Sequence, residues 1–132
     1  MARGGARAAR PRRGRLLSLS PDGVRLAITV LREGNQLDVW IKQLARAPFR
    51  YTKLTFAGNN VNPVWVARGG SLLFASGPST LPGFVLRMRS DGTGPIDTLR
   101  QLPRGITEVL ITPDSERFVL AILTAQPILL PI

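Results

Sequence analysis

The chain has 132 residues, 44% of them hydrophobic, and a net charge of +10, which suits one domain with a true core and excludes disorder throughout. It contains no cysteine and no histidine, so disulfides, thiolate or His-ligated metal sites and imidazole-dependent catalytic sets are excluded. No metal site and no cofactor is expected.

Residues 1–15, "MARGGARAARPRRGR", carry six of the 18 basic residues and no acid, so the basicity is mostly that of one terminal segment. The segment reads as a basic disordered tail, because its Gly, Ala and Pro cannot bury enough apolar surface to fold. Arg3, Arg7, Arg10, Arg12, Arg13 and Arg15 are candidate anion contacts, toward nucleic acid or an anionic lipid surface. No aromatic residue interrupts them to stack on a base, which places nucleic acid behind a protein partner. The glycines and Pro11 argue against an amphipathic organellar leader, and "LLSLSPDG" breaks off too soon for a secretory signal. The stretches "FVLAIL" and "PILLPI" are far shorter than the roughly 20 residues of a membrane-spanning helix. The expected location is inside the cell, cytoplasmic by default, or periplasmic if a true N-terminus is missing.

Strands are predicted near Leu16–Ser20, Arg25–Val30, Leu37–Leu44 and Tyr51–Phe56, where β-branched and aromatic residues concentrate between Gly, Pro and Asn signals. The first two are joined by Ser20-Pro21-Asp22-Gly23. Pro sets φ at the second position of a type I turn, Asp suits the third, and Gly accepts a left-handed backbone before the next strand. Leu26, Ile28 and Val30 share one strand face, yet Ala27 and Thr29 opposite them are small rather than charged, so both faces are predicted to be covered. No window carries a helical apolar stripe free of Gly and Pro.

The same pattern returns twice at a spacing of 46: "SPDGVRLAI" from Ser20, "VARGGSLLF" from Val66 and "TPDSERFVL" from Thr112. Pro21, Ala67 and Pro113 coincide, as do Leu19, Trp65 and Ile111, and Leu26, Leu72 and Phe118. Downstream, "DVWIKQL" falls on "FVLRMRS". The repeat turns are thus marked by Pro21, Asp22, Gly23, Gly69, Pro113 and Asp114. Ser115 stands where Gly23 and Gly69 stand, and keeping the turn geometry there is predicted to cost roughly 1–2 kcal/mol. One carboxylate per turn is far from a calcium or phosphate loop.

Four antiparallel strands per unit of about 46 residues, with "LSPDGVRLAI", "NQLDVWIKQL", "KLTFAGNNVNPVW" and "MRSDGTG", resemble the WD-repeat-like, TolB-type family of bacterial β-propellers. The resemblance implies an all-β fold of antiparallel four-stranded blades in an incomplete propeller, with repeat units near 16–61, 62–107 and an incomplete 108–132. Departures are the second turn, which lacks the Pro-Asp pair, and the end of the chain, "TAQPILLPI", with no recognisable third or fourth strand. Closed propellers hold about four to eight blades. Some two and a half units therefore call for missing blades, or for self-association, to cover terminal faces and close the ring.

The function expected is a non-catalytic protein-interaction or scaffold module that binds a protein or peptide. The resemblance also admits a detached propeller end of a prolyl-oligopeptidase-type peptidase or of a bacterial serine/threonine kinase sensor region. Against an enzyme stand the missing G-x-S-x-G elbow, phosphate loop and kinase catalytic loop. Asp38 with Glu33, and Glu108 with Asp114, are read as solvated loop charges. Trp40 and Trp65 are read as core residues, and "AGNNVNP" (57–63) as a connector between blades.

Overall fold

A computed structural model describes residues 17–45, 47, 50–56, 59–77, 82–103, 106–122 and 126–132. The arginines of the tail lie outside them. Three antiparallel sheets follow one another along the chain. The first holds β1 (Leu17–Leu19), β2 (Arg25–Leu31), β3 (Leu37–Gln43) and β4 (Tyr51–Lys53). The second holds β5 (Asn60–Val66), β6 (Ser71–Ser76), β7 (Gly83–Arg89) and β8 (Asp97–Leu102). The third holds β9 (Ile106–Ile111), β10 (Arg117–Ile122) and β11 (Ile128–Pro131). Among the described residues the only helical pieces are two single 3-10 turns, Glu33–Asn35 and Ala67–Gly69. No helix there is long and apolar enough to cross a membrane.

Within each sheet the strands pair in chain order, so every connection is a hairpin. Positions 46 residues apart occupy equivalent rungs: Leu19 pairs with Leu26, Trp65 with Leu72 and Ile111 with Phe118. The first strands, β1, β5 and β9, lie side by side, and the sheets stack face to face through them.

Two cores result. Ala27, Val39, Ile41 and Leu54 of the first sheet pack against Trp65, Leu72, Phe74 and Met88 of the second. On the other side, Val64, Val66, Leu73, Ala75 and Val85 pack against Ile106, Val109, Phe118 and Leu120 of the third. Alternate residues of β5, β6 and β7 thus serve two neighbours, as strands covered on both faces must. In the first sheet the second face is only half covered, since Leu26, Ile28 and Val30 are partly exposed while Ala27 is fully buried.

Two sequence readings need correction. Residues 128–131 form a third strand, β11, paired along β10 from Leu120↔Ile128 to Arg117↔Pro131. Pro131 disguises it, but at the end of a strand that pairs with β10 alone its missing N–H costs no ladder bond. Asn60–Pro63 is likewise not a connector but the start of β5, buried and bulged between Val61 and Val64. Asn62 turns left-handed there (φ 59°), and Pro63 fits because β5 has a ladder partner on one side only.

Candidate functional site

The turn residues are absorbed by structure. In the first turn the Ser20 hydroxyl donates to Asp22 Oδ1 at 2.6 Å and the Val24 N–H to the same oxygen at 3.2 Å. The third turn repeats this, Thr112 donating to Asp114 Oδ1 at 2.6 Å and the Glu116 N–H at 2.9 Å. These hydrogen bonds, led by the hydroxyl in each case, hold both carboxyls below their ordinary range. Pro21, Gly23 and Pro113 complete the same turns, Gly23 with φ 77° and Ser115 keeping that conformation at φ 60°. The second turn differs. Without Pro and Asp, both Arg68 (φ 56°) and Gly69 (φ 86°) are left-handed. A further carboxylate, Asp91, is pulled well down by the side chain and N–H of Thr93 in the β7–β8 loop.

Gly69 is also the end point of a clamp between the first two sheets. The Arg25 guanidinium lies 4.7 Å from the centroid of the Trp65 ring. Its Nη2 donates to the Gly69 carbonyl at 2.9 Å and its Nη1 to Ser90 Oγ at 3.1 Å. Ser90 Oγ donates to the same carbonyl at 2.6 Å, and Trp65 Nε1 donates to the Ser18 carbonyl at 2.7 Å. A Cβ on Gly69 would sit 2.8 Å from Arg25 Nη2, so the clamp needs glycine for space as well as for conformation.

Asp38 is not a solvated loop charge. It lies within β3, is 1% exposed, and holds Arg32 Nη1 at 3.0 Å and Lys53 Nζ at 3.4 Å. Thr55 Oγ1 donates to its other oxygen at 2.9 Å while accepting the Val39 N–H at 3.0 Å. Burial alone would raise the Asp38 carboxyl; the Arg32 and Thr55 hydrogen bonds and the Lys53 charge outweigh it and hold it below the usual value. The arrangement fixes β4 and the chain after it to β3, and every oxygen of the carboxylate is already engaged. An acid inside the apolar run "LDVWI" is the signal that could have found it. Glu33 and Asp114 lie in the exposed turns expected for them, whereas Glu108 is not a loop charge but lies partly buried within β9, opposite Ala121. Among the described residues, no group of three or more acidic side chains comes together.

Beside these clusters the sheets carry exposed apolar residues on their outward faces, which on the first sheet adjoin the Asp38, Lys42 and Lys53 charges of the same face. Cross-strand pairs share a face, and the pairs Leu17↔Ile28, Leu19↔Leu26 and Ile28↔Trp40 define the face of the first sheet turned away from the second. Leu17 and Leu19 are 55% and 56% exposed on it. Trp40 is half-buried there and its Nε1 is covered without a hydrogen-bond partner. Trp65, by contrast, is in the core as expected. On the third sheet the pairs Val119↔Leu110 and Val119↔Leu129 define the opposite outward face, where Leu129 is 51% exposed. Arg117 and Glu108 border it.

Comparison with known proteins places this architecture. No known family's sequence profile and no curated protein matches the chain. Among solved structures, a protein from Agrobacterium tumefaciens described as a candidate TolB superposes with a TM-score of 0.68 at 19% identity, over 83% of this chain and 39% of its own. A gluconolactonase from Xanthomonas campestris superposes with a TM-score of 0.67 at 18% identity, over 94% of this chain and 40% of its own. The chain thus spans about two fifths of either neighbour. The fold is all-β, with the antiparallel blades of an incomplete β-propeller.

Proposed function

We propose that the chain is a non-catalytic interaction module of propeller blades that binds protein through the outward faces of its first and third sheets. The observation that carries this is the pair of apolar faces themselves, with Leu17 and Leu19 on one and Leu110 and Leu129 on the other. Contiguous exposed apolar surface in a β-sheet protein marks a place where another chain packs. The carboxylates support the reading, since Asp38 and Asp91 have both oxygens in internal hydrogen bonds or ion pairs and Asp22 and Asp114 each commit one oxygen to their own turn. The TolB-like neighbour is consistent with it.

The gluconolactonase neighbour supplies a second reading, a lactone hydrolase. The test is a paired one. The 132-residue chain, Leu19→Arg and Leu129→Arg are compared for bound protein by quantitative cross-linking and mass spectrometry, and for hydrolysis of aldonolactones. Protein contact that maps to the two faces and weakens in the variants supports the module. Contact unaffected by both variants, or lactone turnover abolished by Asp38→Asn with the fold intact, overturns it.

A further inference from the structure

Resting on that reading, we propose that the protein seated on these faces is a second copy of the same chain, and that two copies close a six-bladed ring. The argument follows from the 46-residue offset. The residues by which the second sheet packs on the first include Trp65, Leu72 and Phe74. Those by which the third packs on the second include Ile111, Phe118 and Leu120. Their counterparts one and two units earlier are Leu19, Leu26 and Ile28, which are the outward face of the first sheet. Conversely, Ala27 and Leu73 receive the sheet that follows each, and their counterpart Val119 lies on the outward face of the third sheet. One face is a docking surface without a receiver and the other a receiver without a docked sheet. Setting the first sheet of one copy on the third sheet of another repeats an interface that the chain already builds twice.

The polar clamp has the same counterpart. Arg25 reaches across to the Gly69 carbonyl; Arg117 is its equivalent two units on, exposed on the third sheet beside Val119. The equivalent of Gly69 one unit back is Gly23, where a Cβ would meet no described residue within 4 Å beyond its own chain neighbours. Arg117 of one copy therefore meets the Gly23 carbonyl of the other as Arg25 meets Gly69.

Copy number follows from closure. The three sheets of the described residues make six with two copies, within the range of about four to eight blades in which propellers close, whereas three copies make nine. Both contacts in such a pair are the same head-to-tail interface, related by a two-fold axis.

The experiment is light scattering after size exclusion on the 132-residue chain across a concentration series, with circular dichroism on each sample. The expected result is a β-rich dimer. Leu19→Arg and Leu129→Arg each become monomers with unchanged spectra, a loss of affinity of at least about 100-fold from a charge in a desolvated contact. Mixed one to one, the two variants recover a dimer, because one of the two contacts joins intact faces. Arg117→Ala weakens the dimer by about 10-fold. A folded monomer at every concentration, a dimer that survives one of the two arginine variants alone, or an open-ended polymer overturns ring closure by two copies. A folded monomer that still cross-links other proteins through the two faces leaves the interaction module standing; one whose contacts ignore both variants overturns that as well.

Discussion

The interface between the first and second sheets and that between the second and third join equivalent surfaces by different means. The first surrounds a modest core, in which Ala27 faces Phe74 and Trp65, with the Arg25 clamp and the Trp65 to Ser18 hydrogen bond. At the second, residue 71, the counterpart of Arg25, is a serine, so no guanidinium stands at that position, and the join is built around a larger apolar cluster of Phe118, Leu73 and Leu120. An arginine clamp marks the one join and a larger filled volume the other. The fold needs the neighbour at each face and leaves the chemistry of attachment free.

The comparison is broken most severely at the second interface. Phe118 is 1% exposed and held on both sides by the pairs with Ile111 and Leu130, so Phe118→Ala leaves a cavity that a covered sheet cannot collapse into. The expected loss is about 3–5 kcal/mol in chemical denaturation. A loss below about 1 kcal/mol would mean that the third sheet adds little to the fold. At the first interface Arg25→Ala removes a half-desolvated cation over Trp65 and two charge-assisted hydrogen bonds, for about 2–3 kcal/mol. Gly69→Ala displaces the same guanidinium, so the two substitutions together cost less than their sum, and strict additivity would refute the clamp.

This difference also divides what the amino-acid pattern reveals from what it hides. Turns, strand periods and the 46-residue spacing are local and survive in the letters, and so do the four strands of the first sheet. Ser115 was legible as a strained position because Gly23 and Gly69 stand at its counterparts, and it is left-handed. β11 and the start of β5 were illegible because Pro131 and Pro63 are tolerated on strands with one ladder partner and Asn62 by a bulge, both facts of topology. The clamp was hidden for a similar reason: Arg25 acquires its meaning from residues 40 and more positions away. Asp38 is the intermediate case, a conspicuous acid in an apolar strand whose partners Lys53 and Thr55 come from the end of β4 and the chain just after it.

Asp38 sharpens the same contrast inside one sheet, where a buried charge does the joining. Asp38→Asn strands Arg32 and Lys53, both with some access to water, for about 1.5–2 kcal/mol at neutral pH. The sign with pH follows from its lowered carboxyl. Above the ordinary value near 3.8 the group is ionised in both folded and unfolded chains and contributes fully. As pH falls through that value the unfolded chain takes the proton first, and the contribution fades until the folded carboxyl also protonates. Wild type should therefore lose more stability than the Asn variant between about pH 5 and 2. The variant retains some acid sensitivity, because Asp22, Asp91 and Asp114 are shifted in the same direction. Parallel curves for the two proteins would remove Asp38 from the account.

The smallest effect tests why the two interfaces treat their turns differently. A side chain at Gly69 would both strain its left-handed backbone and displace the Arg25 guanidinium, whereas Ser115 occupies the same turn beyond the second interface with a side chain and φ 60°. Two influences oppose each other in Ser115→Gly: relief of the left-handed strain, about 1–2 kcal/mol, and the added freedom of the unfolded chain, about 0.5–1 kcal/mol. Relief wins, and the variant should gain about 0.5–1 kcal/mol, read as a raised denaturation midpoint with unchanged slope. The hydrogen bonds from Thr112 and from the Glu116 N–H to Asp114 remain in the variant and hold the turn in place. A loss of stability would instead show that the Ser115 hydroxyl has a part in holding the third sheet, and that this interface is less purely a matter of volume than its core suggests.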